Sequence, residues 1–141
     1  MSWNEDYHAR PMKALYSFDG LQGRAADFAT SEDNAITAAA GGTGYGIVMN
    51  DPRTGEHATV AVRGVVRARA AASITRGAFI TVAVSATGGP GWLRSVVSGD
   101  TAPMTIMGRA MSSVASGSLF ALELNVQRAF VAGSGNTLLA V

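Results

Sequence analysis

The 141-residue chain has no cysteine, which removes disulfide frameworks, thiolate zinc sites and cysteine nucleophiles together. Histidine is scarce too. His8 and His57 are the two present, and neither has a ligand-spaced partner, so metal ligation and imidazole base chemistry have little to build on. Lysine is represented by Lys13 alone, against ten arginines. Aromatics make up 7% of the chain and charged residues 15%, so the core must be assembled largely from Val, Ile, Leu and Ala methyl groups. A surface charged this sparingly implies that part of it is covered by other protein. No stretch approaches the ~18 consecutive apolar residues of a membrane span. Residues 1–10 are polar and acidic, without the apolar segment of a secretory signal. The expectation is a protein made and kept in cytoplasm, with no membrane partner.

Length favours one domain, with or without arms. A folded monomer of this mass buries about two thirds of its unfolded surface, which supports a real core. The net charge of +1 conceals an asymmetry: residues 1–56 hold eight acids and four bases, whereas residues 57–141 hold Asp100 and Glu123 against seven arginines. Such an imbalance points either to a polyanionic or acidic protein partner, or to two parts of one assembly that neutralise each other.

Residues 1–43 lack sustained periodicity and read as an N-terminal arm. Trp3, Tyr7, Tyr16, Phe18 and Phe28 are half of the ten aromatics, and the run 38–44 (AAAGGTG) is loop-like. Disordered segments are poor in aromatics, so this arm is expected to dock, on its own domain or on a neighbour. A helix fits only the Ala-dense stretch 24–40.

Residues 44–126 read as strands and turns. A short apolar run at 45–50 (YGIVMN) is followed by the turn 51–55 (DPRTG), and 57–70 (HATVAVRGVVRARA) then alternates with period two. In that strand Val60, Val62, Gly64, Val66 and Ala68 are expected on one face. Thr59, Ala61, Arg63, Val65, Arg67 and Arg69 are expected on the other. Gly64 in mid-strand signals a bulge or a close backbone approach. Further strands follow at 78–84, 92–97, 104–111 and 119–126, the last with Phe120, Leu122, Leu124 and Val126 on one face. Turn signals at this spacing indicate an all-β sandwich or barrel. The tail, 127–141, has a Gly-Ser-Gly-Asn hinge and an apolar end. It is expected to fold back as an edge strand or to add to a neighbour's sheet.

No catalytic constellation emerges. Glu5-Asp6 and Glu32-Asp33 are sequential pairs with nothing to hold them across a cleft. There is no Gly-x-Ser-x-Gly elbow. The glycine-rich run 41–46 (GGTGYG) has no strand before it and no Lys-Ser/Thr after it, so it is neither a Walker loop nor a dinucleotide fingerprint. Gly133–Asn136 is similar to the glycine-rich nucleotide-capping tails of small trimeric β-enzymes, without the catalytic Asp and Ser motifs upstream. The arginine stripe is the strongest local feature. Arg63, Arg67 and Arg69 share a face and Arg76 follows in the next turn. Arginine suits surfaces that become buried at an interface, and the stripe offers no aromatic platforms for stacking bases. A protein partner explains it better than nucleic acid.

From Gly44 to Asn125 the chain resembles the small β-domain of tailed-bacteriophage head decoration (cement) proteins. The matching stretches are GIVMNDPRTGEHATVAVRGVVRARAAASITRGAFITVAV and MTIMGRAMSSVASGSLFALELN. The order is an apolar strand, a turn with Gly-Glu, and an alternating strand with Gly-Val, followed by an Ala-rich turn and Gly-x-apolar-apolar. A late strand with Met107-Gly108-Arg109-Ala110 and an alternating closing strand complete it. The resemblance implies a β-sandwich or β-tulip domain, commonly trimeric, that sits on a capsid lattice and clamps neighbouring major capsid proteins. It implies no enzymatic activity, so no catalytic residue, cofactor or metal is expected.

The expectation is therefore a non-enzymatic virion protein on the capsid exterior, assembled in the host cytoplasm as a homotrimer, with the major capsid protein as partner. Trp3, Tyr7, Tyr16, Phe18, Arg63, Arg67 and Arg69 are the candidate capsid contacts. Phe130, Leu138, Leu139 and Val141 are the candidate inter-subunit residues. The alternative is a small β-barrel binding module for nucleic acid or saccharide.

Overall fold

A computed structural model describes residues 6–18, 22–39, 43–83, 91–97, 100, 104–131 and 138–140. The period-two stretch becomes a 13-residue strand, β5 (His57–Arg69), and the other strands are arranged around it. Before it come β1 (Asp6–Ala14), β2 (Ala25–Phe28), β3 (Ala35–Ala38) and β4 (Gly46–Val48). After it come β6 (Phe79–Val82), β7 (Leu93–Ser95), β8 (Met104–Ala110), β9 (Leu119–Val131) and β10 (Leu138–Ala140). Among the described residues there is no helix, and the fold is all-β.

β5 has partners on both edges. β1 runs antiparallel along residues 57–65. The other edge is shared in tandem by β4, at Val60 and Ala61, and by β9, from Arg63 to Arg69. β1 also pairs β3 in parallel, β3 pairs β2, and β2 pairs β4. The pairings thus run from β5 through four strands and return to it. On the far side they run β5-β9-β8-β6-β7. Leu93 of β7 then bridges Ala70 at the end of β5, and Ala71 N–H donates to the Leu93 carbonyl at 2.6 Å. Two small barrel-like rings share one strand.

The ring cores lie on opposite faces of β5, and one extra residue makes that possible. His8 pairs with Arg63 but Ala9 pairs with Ala61, so Val62 has no counterpart on β1. A one-residue bulge moves every later side chain to the other face. Before it, Ala58 and Val60 pack with Met12, Ala14, Phe18, Ile36 and Val48. Ala61, Val66 and Ala68 join Ile80, Val82, Leu93, Met107, Phe120, Leu122 and Leu124. Strict alternation had put Val60 with Val66 and Ala61 with the arginines; the bulge corrects both assignments.

The first part of the chain docks on its own domain. β1, β2 and β3 are hydrogen-bonded into the sheet, and Met12, Ala14, Phe18, Ala26 and Ile36 are buried. The Ala-dense stretch forms the antiparallel pair β2/β3, not a helix. Its alanines are small enough to be buried between close strands, as Ala25, Ala26 and Ala35 are, and tertiary packing overrides their helix propensity. Asn34 turns the chain between them at φ 57°, a conformation Asn tolerates better than most residues. The tail also folds back: Leu138, Leu139 and Ala140 of β10 pair with Val131, Phe130 and Ala129 of β9.

Gly64 is the close backbone approach its mid-strand position signalled. Its φ is +112°, and a Cβ there would meet the Asp6 carbonyl and lie 2.6 Å from Tyr7 Cα. Gly108 of β8 is in the same position on the other side of β9. Both glycines pair with Leu124, and a Cβ on Gly108 would run into the Glu123 carbonyl. Gly64→Ala combines positive-φ strain with a backbone clash and should cost about 2–4 kcal/mol. Urea unfolding measures it, and an unchanged midpoint would contradict the packing described.

Arg94 of β7 forks onto Asp100 in the β7–β8 connection, with contacts of 2.9 and 3.1 Å, and Asp100 also accepts from the Val97 N–H at 2.8 Å. Burial pushes the Asp100 carboxyl upward. The hydrogen bonds from Arg94 and Val97 and the charge of Arg94 outweigh it, so the net shift is downward. The stabilisation from a depressed carboxylate is complete above about pH 5 and fades as pH falls below about 4. Asp100→Asn should lower stability by about 1–3 kcal/mol at neutral pH and flatten the acid limb of the stability–pH curve. Chemical unfolding of both proteins between neutral and acidic pH checks the pair of expectations.

Candidate protein-interaction face

Beyond the bulge, the inward residues of β5 are Val66 and Ala68, which leaves Arg63, Val65, Arg67 and Arg69 outward. β9 contributes Leu119, Ala121, Glu123 and Asn125 to the same face, because Phe120, Leu122 and Leu124 fill the core. Register brings Arg69 beside Leu119, Arg67 beside Ala121, Val65 beside Glu123, and Arg63 beside Asn125. On the other side of β9, Glu123 pairs with Arg109, which in turn pairs with Phe79 of β6. Met111 N–H donates to the Ala121 carbonyl at 2.8 Å, which places Met111 at the margin of this face. Leu119 and Met111 are 39% and 38% exposed. Met and Arg, both present here, are among the residues enriched at protein interfaces.

The arginines differ in what holds them. Arg69 is half-buried and its Nη1 donates to the Gly117 carbonyl at 3.1 Å. Its buried Nε has no hydrogen-bond partner among the described residues. Arg109 donates through Nε and Nη2 to the Gly77 carbonyl, at 3.2 and 3.1 Å, and stacks 5.1 Å from the Phe79 ring centroid. Arg63 and Arg67 are exposed on the strand. Where the two rings meet, Arg24 is buried 5.0 Å over the Trp92 ring. Burial first, and then the like charge of Arg69, hold it below the usual arginine range.

Three surface hollows converge on Glu123. One is bounded by Asp6, Arg63 and Val65, one by Phe79, Ile106 and Gln127, and one by Arg76, Arg109 and Met111. Among the described residues no group of three or more His, Asp or Glu could hold a metal. The glycine-rich run serves packing where it is described. A Cβ on Gly46 would strike the Ala61 carbonyl and come within 2.7 Å of Val60 Cγ1.

The structure brings together Arg63, Arg67 and Arg69 but disperses the aromatic candidates. Phe18 is 1% exposed in the smaller core, which removes it from any contact surface: its ring is needed to fill the first ring of strands. Tyr7 is half-buried against the larger core. Tyr16, 64% exposed, remains available. Phe130, Leu138 and Leu139 lie on the β9–β10 pairing within one chain. Trp3 and Val141 are outside the described residues. Sequence reasoning missed Glu123, Arg109, Leu119 and Met111 as members of the face. The alternation of β9 carried the signal for Glu123 and Leu119, since the residues between its core positions must face outward.

Fold and face define an all-β domain of two strand rings with an arginine-bordered aliphatic surface. No family model matches the chain, and no curated protein matches it. Among solved structures, the chain is similar to the N base of the head fibre gp8.5 of bacteriophage phi29. The TM-score is 0.62 at 17% identity, covering 85% of this chain and 95% of that one. The two share a fold.

Arg63→Glu should leave stability within about 0.5 kcal/mol of the parent, as at most exposed sites. Arg69→Ala should lower it by about 1–3 kcal/mol through the lost bond to Gly117. Thermal unfolding of the two variants separates surface from scaffold; equal losses would contradict the division.

Proposed function

We propose that the chain is a structural protein of a bacteriophage head, attached to the outside of the capsid, where it bridges and stabilises major capsid proteins. The observation that carries this reading is the fold likeness to a phage head fibre base over nearly the whole of both chains. The order of turns and strands supports it separately, since it resembles head decoration proteins across residues 44–125. The role is mechanical rather than catalytic. Small contacts repeated over a lattice add up to tight attachment, with no single contact needing to be large. The outward face of β5, β9 and β8, with Arg63 and Arg67, is the capsid-facing surface, and the functional unit is a homotrimer.

Purified protein added to heads assembled without it should bind at saturable, stoichiometric sites and raise the temperature at which those heads rupture. Absence of binding at micromolar concentration would overturn the reading.

A further inference from the structure

Glu123 sits in a positive surround, yet among the described residues nothing neutralises it. Its cross-strand neighbour on one side is Val65, which carries no charge. The neighbour on the other side is Arg109, whose guanidinium is turned away to the Gly77 carbonyl and the Phe79 ring. Among the described residues the Glu123 carboxylate takes part in no ion pair or hydrogen bond. It is exposed, and the three hollows of the face open onto it. An acid left unpaired among arginines is an acceptor available to a cation from outside.

Resting on the reading of the chain as a head-attached protein, we propose that this face docks on an acidic protein surface that carries one basic side chain. The basic side chain seats on Glu123, acids beside it meet Arg63 and Arg76, and Leu119 and Met111 supply the apolar contact. Charge complementarity selects this occupant. A continuous phosphate backbone would meet Glu123 in the middle of its path and Asp6 at the edge, and would gain nothing from two exposed apolar side chains. Among the described residues the aromatic ring of the face is Phe79, and it is already covered by Arg109, so it offers bases no open stacking platform. Matched patterns of both signs set the register of a protein interface and reject wrong partners.

The test compares wild-type, Arg63→Glu, Glu123→Gln and Glu123→Arg proteins for binding to heads assembled without the protein, at physiological salt. Thermal unfolding midpoints equal to wild type establish that each variant is folded. Arg63→Glu should weaken binding tenfold or more, Glu123→Gln severalfold, and Glu123→Arg tenfold or more. Tighter or unchanged binding by Glu123→Arg would overturn the proposal, because a uniformly anionic partner prefers an all-positive face. Unchanged binding by Arg63→Glu would overturn it as well. In either case wild-type binding would leave the head-attachment reading standing. Failure of the wild type itself to bind would overturn that reading, and the proposal with it. Retention of duplex DNA on a filter that falls steeply with salt and rises with Glu123→Arg would replace the protein partner with nucleic acid.

Discussion

A strand that closes two rings has to present apolar side chains to both faces, first to one core and then to the other. Regular pleating cannot do this without placing large side chains alternately in core and solvent along the whole length. The extra residue at Val62 solves the problem locally: Ala58 and Val60 serve one core, and Val66 and Ala68 serve the other. Inserting it demands a close backbone approach where β1 and β9 both flank β5. Gly64 sits at that point, paired with Tyr7 on one side and Leu124 on the other. Gly108 repeats the device across β9. A single row of the sheet, with glycine on both sides of Leu124, therefore fixes the bend on which both rings depend.

The same shift determines the surface. Once β5 has flipped, its odd-numbered residues leave the core side and stand outward as Arg63, Val65, Arg67 and Arg69. Without the bulge they would continue the face occupied by Ala61, which is fully buried. The arginine stripe and the core of the second ring are thus two consequences of one backbone irregularity. This ties the chemistry of the face to the fold more tightly than exposed charges usually are, since loss of register would bury guanidinium groups at a cost the small core could not offset.

Much of this is legible in the residues themselves. The period-two run at 57–70 located β5, the Gly-bearing turns separated the later strands, and the mid-strand Gly64 announced an irregularity. What the alternation could not reveal was the position of the bulge. Val62 is as apolar as its neighbours, so nothing in its side chain marks it as unpaired. Residues 6–39 were opaque for a different reason. Apart from β1 their strands are short, four residues each in β2 and β3, and small residues such as Ala25, Ala26 and Ala35 carry no clear hydrophobic pattern. They become strands because β5 and the other ring members offer backbone partners. The face was half legible: Arg63, Arg67 and Arg69 share a strand, but Glu123, Arg109 and Met111 join them only through pairings between residues far apart in sequence.

The scarcity of charge with which the chain is marked takes on a physical meaning at this face. Lysine, strongly hydrated and flexible, resists being buried against another surface, whereas arginine's weakly hydrated, planar guanidinium gives up water more readily and keeps its charge. A chain with ten arginines to one lysine has positive groups suited to desolvation. At the face, Arg69 is engaged internally on the Gly117 carbonyl and Arg109 on Gly77 and Phe79. Those internal contacts hold the rigid floor of the face, and they are also what keeps Arg109 from closing on Glu123. If Arg109 were free to pair with Glu123, the surface would be self-neutralised and an approaching partner would have to break that pair first. Tied back as it is, it leaves a fixed negative point within a positive border, a pattern that reads orientation as well as sign.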